Sequence, residues 1–197
     1  MKYLNQFEYK DTPYPTNISN PESPLVNGTI SRAGCGLCTA CMMVEQLTFS
    51  DFPLLECRDL AIEVKANLTP GTNMKIFGPV VAEKFNLSLE KSDDIQDLIK
   101  CLQSGGGAII NVGGDHDDHI GVFSHGGHYI YAVSTDGEQI CILDPSKKDG
   151  KYEEEGRQGK VRVNGDFAYC SKEVLHADVQ NRTPAYYLFT RKSDLGE

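Results

Sequence analysis

The chain has 197 residues, 40% hydrophobic and 24% charged, which suits one well-filled domain over residues 1–197 and excludes wholesale disorder. Its net charge of −9 argues against a nucleic-acid partner or an anionic-membrane surface. No apolar run reaches the roughly 18 residues of a membrane span, and the opening MKYLNQFEYK lacks the apolar stretch of a secretory signal.

Residues 1–33 carry Pro13, Pro15, Pro21 and Pro24 without a helical period, so an extended arm is expected there. Residues 34–104 read as mainly helical. In GCGLCTACMMVEQLTF, Leu37, Ala40, Cys41, Val44 and Leu47 recur at three- and four-residue intervals as one apolar stripe, with Pro53 marking the end. Helices are expected over 54–66, 73–85 and 93–103, the last capped by Ser92 and Asp93. Between the second and third, LSLEKS alternates like a short strand.

After Gly105-Gly106-Gly107 the period becomes that of strands. AIINV, GHYIYAVST, EQICILDP, KVRVNG and AYYLFTR are β-branched or aromatic and separated by turn signals such as Asp136-Gly137. Residues 105–197 therefore read as mainly β, and SKKDGKYEEEGRQGK as an exposed loop. The fold class is α+β, a helical N-terminal half packed against a mostly antiparallel C-terminal sheet, with a cleft where the halves meet. Seven cysteines, an odd number in apolar contexts, fit reduced buried thiols better than a disulfide framework. The expected location is cytoplasmic, or secreted if a leader has been removed.

A thiol becomes a nucleophile when its pKa falls, and the unpaired amides of a helix N-terminus lower it. Cys35 sits where a helix should begin, between Gly34 and Gly36, which allow close backbone approach. His128 follows Gly126-Gly127 and opens the strand HYIYAV, a place from which an imidazole can be presented rigidly as a base. Asp144 lies at the end of the next strand, ILDP. Two strands joined by a tight Asp136-Gly137 turn would set His128 and Asp144 side by side, with the carboxylate fixing tautomer and ring orientation. Taken singly, each of the three has an ordinary structural explanation, as a small buried thiol, a strand-edge imidazole and an Asp-Pro turn. Their joint order and spacing point to a Cys/His/Asp triad.

The segment TISRAGCGLCTACMMVEQLT resembles the nucleophile segment of the bacteriocin (double-glycine) leader-peptidase-like family, a branch of the papain-like cysteine peptidases. GVFSHGGHYIYAVSTDGEQICILDP resembles that family's His-to-Asp hairpin, and the likeness covers roughly residues 4–146. It implies a papain-like fold and hydrolysis of a peptide or related amide bond through a thioester, with Cys35 as nucleophile, His128 as base, Asp144 as orienting residue, a peptide or protein as substrate, and no cofactor or metal. The family also places a glutamine upstream of the cysteine to complete the oxyanion hole, and Gln6 in YLNQFEYKDTPYP is the best match.

Two departures from the family stand out. Leu37, Cys38 and Thr39 replace its usual Pro-Thr-Ser, and the resulting Cys-Gly-Leu-Cys makes Cys38 the runner-up nucleophile, although one turn inside the helix its thiol would lose the end-of-helix amides. No ATP-binding module or membrane span follows, which leads us to expect a free-standing peptidase rather than an exporter part. Three rivals stand beside this reading. The loop GGDHDDHIGVFSHGGH gathers His116, His119, His125 and His128 with Asp115, Asp117 and Asp118, a donor set suited to a divalent metal, although its spacing matches no closed zinc pattern. A catalytically inactive peptide-binding module is the second. The third, a Cys-x-x-Cys redox motif, lacks the preceding strand it would need.

Overall fold

The structure, a computed structural model, describes residues 2–16 and 28–192. The part of the expected arm holding Pro21 and Pro24 lies outside them. The rest of the arm is not uniformly extended. Asn5 caps a 3-10 turn over Gln6–Glu8 by accepting from the Phe7 amide, and a short helix α1 covers Ile30–Ala33. Helix α2 (Cys35–Thr48) follows directly, its first amides beginning at the Gly34 cap. It ends at Phe49, which turns left-handed at φ 58° and returns its N–H to the Glu45 carbonyl, so the stop comes four residues before Pro53.

Helix α3 (Leu54–Glu63), a two-residue ribbon of β1 (Asn67–Leu68) and β2 (Gly71–Thr72), and α4 (Met74–Lys84) come next. LSLEKS forms β3 (Leu87–Ser92), and α5 spans Ile95–Gln103. Its cap is Asp94, one residue beyond the expected pair. Asp94 accepts from the Gln96 amide, while the Ser92 hydroxyl donates to Asp97.

Strands β4 (Gly107–Val112), β5 (His128–Thr135), β6 (Gln139–Leu143), β7 (Arg162–Asn164) and β8 (Phe167–Ser171) lead to α6 (Lys172–Ala177) and β9 (Tyr186–Arg191). Strand β8 and helix α6 were not expected from the sequence. FAYCS and KEVLHA are five and six residues long, too short for a period to show. Among the described residues one sheet of seven strands runs β3-β9-β4-β5-β6-β8-β7, every neighbour antiparallel.

The central strands read as nearly continuous apolar runs because both of their faces are covered. Ile109, Tyr131, Leu143, Tyr187 and Phe189 pack with α2, α3 and α4; Ile110, Ile130, Ile142, Tyr186 and Leu188 pack with α5 and α6. Helix α5 thus departs from the expected arrangement. Its Leu98, Ile99 and Leu102 cover the face opposite to the other N-terminal helices. Helix α2 is buried well beyond its one stripe, Met42, Met43 and Cys38 included, because helices, arm and sheet surround it. That burial fixes the direction of its N-terminus. No described helix is long and apolar enough to cross a membrane.

Candidate active site

The structure brings Cys35, His128 and Asp144 together where the α2 N-terminus meets the start of β5. The Cys35 thiol is half-buried, and it lies close enough to the His128 ring and to the Tyr129 and Gly36 amides for each to favour its charged form. Burial pushes this thiol up. The imidazole's hydrogen bond and charge, with the two amides, outweigh it and leave the thiol below its ordinary value. Gly36 is required by space: a Cβ there would lie 2.8 Å from the Thr72 Cβ on β2.

His128 is 7% exposed. Its Nε2 lies 2.8 Å from Asp144 Oδ1 and 2.9 Å from Ser146 Oγ, so this nitrogen carries a proton and the other is left for Cys35. Burial pulls the imidazole down, but Asp144 and Cys35 both favour its charged form and hold it above its ordinary value. A lowered thiol beside a raised imidazole moves both groups towards a thiolate–imidazolium pair.

Asp144 is fully buried. Its Oδ1 accepts from the Ser146 amide (2.9 Å) and hydroxyl (3.1 Å), and its Oδ2 accepts from the Tyr152 hydroxyl (2.6 Å) and the Lys151 ammonium. Burial disfavours the carboxylate, yet the Lys151 charge and the His128 hydrogen bond hold Asp144 well below the usual carboxylate range. Lys151, itself buried, is lowered by that burial despite its partner and donates also to Ser146 Oγ (2.7 Å).

This corrects the expectation that SKKDGKYEEEGRQGK is an exposed loop. Lys151, Tyr152 and Arg157 point inward. The Asp144 carboxylate draws the lysine in, the Tyr152 ring meets Phe123 edge-on at 5.8 Å, and Arg157 Nε donates to the Gly121 carbonyl. Sequence reasoning missed Ser146, Lys151 and Tyr152. Ser146 had a signal, standing two residues after Asp144 in an Asp-Pro-Ser turn, where an aspartate side chain commonly accepts from the amide two residues on. Lys151 had none, because charge in a polar run gives no clue to burial.

Gln6 is 5% exposed and tied to both halves of the site. Its backbone N–H donates to Pro145 O and its Nε2 to Ser31 O, each at 2.8 Å. One Nε2 hydrogen is thereby used to orient the amide, and the second is left. Cys38, in contrast, is wholly buried, and that burial together with Cys41 and Cys35 holds its thiol well above the ordinary value.

The His/Asp loop disperses its donors. His116 Nδ1 meets Gly114 O at 3.0 Å, His119 pairs with buried Asp178 at 2.7 Å, and His125 bridges Asp115 and Glu154. Asp117 and Asp118 are exposed. Among the described residues no three His, Cys, Asp or Glu side chains are placed so that they could hold a metal ion. The chain matches no protein-family model and no curated protein.

Proposed function

We propose that this chain is a papain-like cysteine peptidase, akin to the bacteriocin leader-peptidase-like family, which cleaves a peptide or related amide bond. One observation carries the proposal: a half-buried thiol at a helix N-terminus, held below its ordinary pKa by a buried imidazole whose far nitrogen is fixed by an ionised carboxylate. A structural cysteine has no use for that arrangement.

The Cys35 thiolate attacks the amide carbonyl carbon, forming the C–S bond while the carbonyl electron pair moves to oxygen. The Cys35 backbone amide and the second Nε2 hydrogen of Gln6 stabilise that oxyanion. Imidazolium His128 gives its proton to the leaving nitrogen as the C–N bond breaks, leaving a thioester and neutral imidazole. His128 then takes a proton from water as the water oxygen attacks, and the acyl group leaves as acid while thiolate and imidazolium are restored. Asp144 keeps the imidazole in one tautomer throughout. All seven cysteines are free thiols, which supports a reducing compartment and hence the cytoplasm.

The test is cleavage of a mixture of unmodified peptides, read by mass spectrometry, with Cys35→Ser as control. Cleavage lost only in Cys35→Ser is expected. Equal cleavage by both proteins, or none by either alongside an acid-reactive Cys35, would overturn peptidase activity.

A further inference from the structure

The His128–Asp144 pairing does not follow from a plain hairpin. The turn spans four residues, with Thr135 opposite Ile140 and Ser134 opposite Cys141; further along, Ala132 faces Ile142 and Tyr131 faces Leu143. Between the two runs Val133 has no partner and the register slips by one. If the register of the turn end ran on unshifted, Asp144 would fall opposite Tyr131, on the α2 face of the sheet. His128 lies on the other face, in register with Val112 and in line with Ile130. Side chains alternate with a period of two, so a slip of one residue moves a whole strand end to the other face. The slip at Val133 is what puts the carboxylate and imidazole on one side.

We propose that Gln46 is a positioning residue that holds this bulge, a role resting on the peptidase reading above. Gln46 Nε2 donates to the Val133 carbonyl at 3.3 Å, and Gln46 Oε1 accepts from the Tyr131 hydroxyl. The tyrosine reaches it because residue 107 is glycine: a Cβ there would overlap the Tyr131 hydroxyl. Gln46 stands on the last turn of α2 and Cys35 on its first. Eleven helical residues rise about 16 Å; from Tyr129, whose amide meets Cys35, to Val133 a strand rises about 13 Å. Helix and strand are therefore tied at both ends, the nucleophile at one and the register of its partners at the other. No catalytic atom is touched by Gln46.

The groups facing His128 are Cys35 from α2 and Asp144 and Ser146 from the segment after β6, with Lys151 behind Asp144 and Arg182 against Gly127. The experiment is the pH dependence of Cys35 alkylation by iodoacetamide, read by intact mass, with His128 titrated by NMR in the same proteins. It compares wild type, Gln46→Met, Tyr131→Phe and, as reference, Asp144→Asn. Gln46→Met should lower the His128 titration in the direction of Asp144→Asn and slow acid-side alkylation, about tenfold for each pKa unit lost. Tyr131→Phe should do the same to a smaller extent, and it carries the test if Gln46→Met does not fold. An acid-reactive wild-type Cys35 with both variants unchanged in profile, even if less stable, would overturn the positioning role alone. A wild-type Cys35 with no acid reactivity would overturn the peptidase reading instead.

Discussion

Lys151→Met removes the one ammonium behind Asp144 while keeping a side chain of similar length. Asp144 would remain fully buried, still accepting from His128, the Ser146 amide and hydroxyl, and Tyr152. Breaking a buried ion pair by removing one partner costs about 3–5 kcal/mol. The four surviving donors place this case at the lower end, about 3 kcal/mol. At roughly 2–4 °C per kcal/mol for a chain of this size, the melting temperature should fall by about 6–12 °C. The effect on the site has the opposite character. Lys151 opposes protonation of His128 through the carboxylate they share, so removing it should raise the imidazole's titration further above its ordinary value and extend acid-side reactivity of Cys35. Differential scanning calorimetry and a His128 NMR titration measure the two effects in one preparation. A melting temperature unmoved by the substitution, or a His128 titration that falls, would refute the reasoning.

Three further outcomes are expected. Asp144 titrates lower in the fold than when unfolded, so its contribution to stability is present above its unfolded pKa of about 3.9 and is lost as pH falls through and below that value. Acid unfolding followed by circular dichroism should accordingly be shallower in Asp144→Asn than in wild type; identical curves would contradict the ionised, paired state. Both Asp144→Asn and Asp144→Ala remove the charge that Lys151 pairs with, but Asn keeps the side-chain volume and an acceptor oxygen, so it is the cleaner test of orientation. Cys38→Ala should keep full peptide cleavage and lose about 1 kcal/mol in a urea melt, as for a small buried group; loss of cleavage would move the nucleophile. Gln6→Ala should lower kcat by about 10²–10³ with KM little changed, the pattern of a lost oxyanion donor, and an unchanged kcat would remove Gln6 from the oxyanion hole.

Much of the fold was legible because its signals are local. The intervals of Leu37, Ala40, Val44 and Leu47 give α2, and the alternation of LSLEKS gives β3. The joint spacing of His128 and Asp144 pointed to their pairing, which the structure contains at 2.8 Å. What sequence could not give is long-range. The two-faced burial of the sheet depends on α5 crossing to the far side, and a strand's apolar run does not say which helix covers which face. The Val133 bulge leaves no mark in HYIYAVST, where every residue suits a plain strand, so the tight turn assumed there paired residues in the wrong register. Lys151 was misplaced because a lysine in a polar loop is ordinarily solvated, and only the fully buried Asp144 gives it a reason to be inside.

The central claim is that Cys35 is an activated nucleophile. Intact-mass labelling with iodoacetamide at mildly acidic pH tests it most directly, comparing wild type with Cys35→Ser and Cys38→Ser. The account predicts one rapid label, absent from Cys35→Ser and retained in Cys38→Ser, because only Cys35 combines partial exposure with a pKa held down by His128. Rapid labelling that survives Cys35→Ser, or no rapid labelling at all, would contradict it.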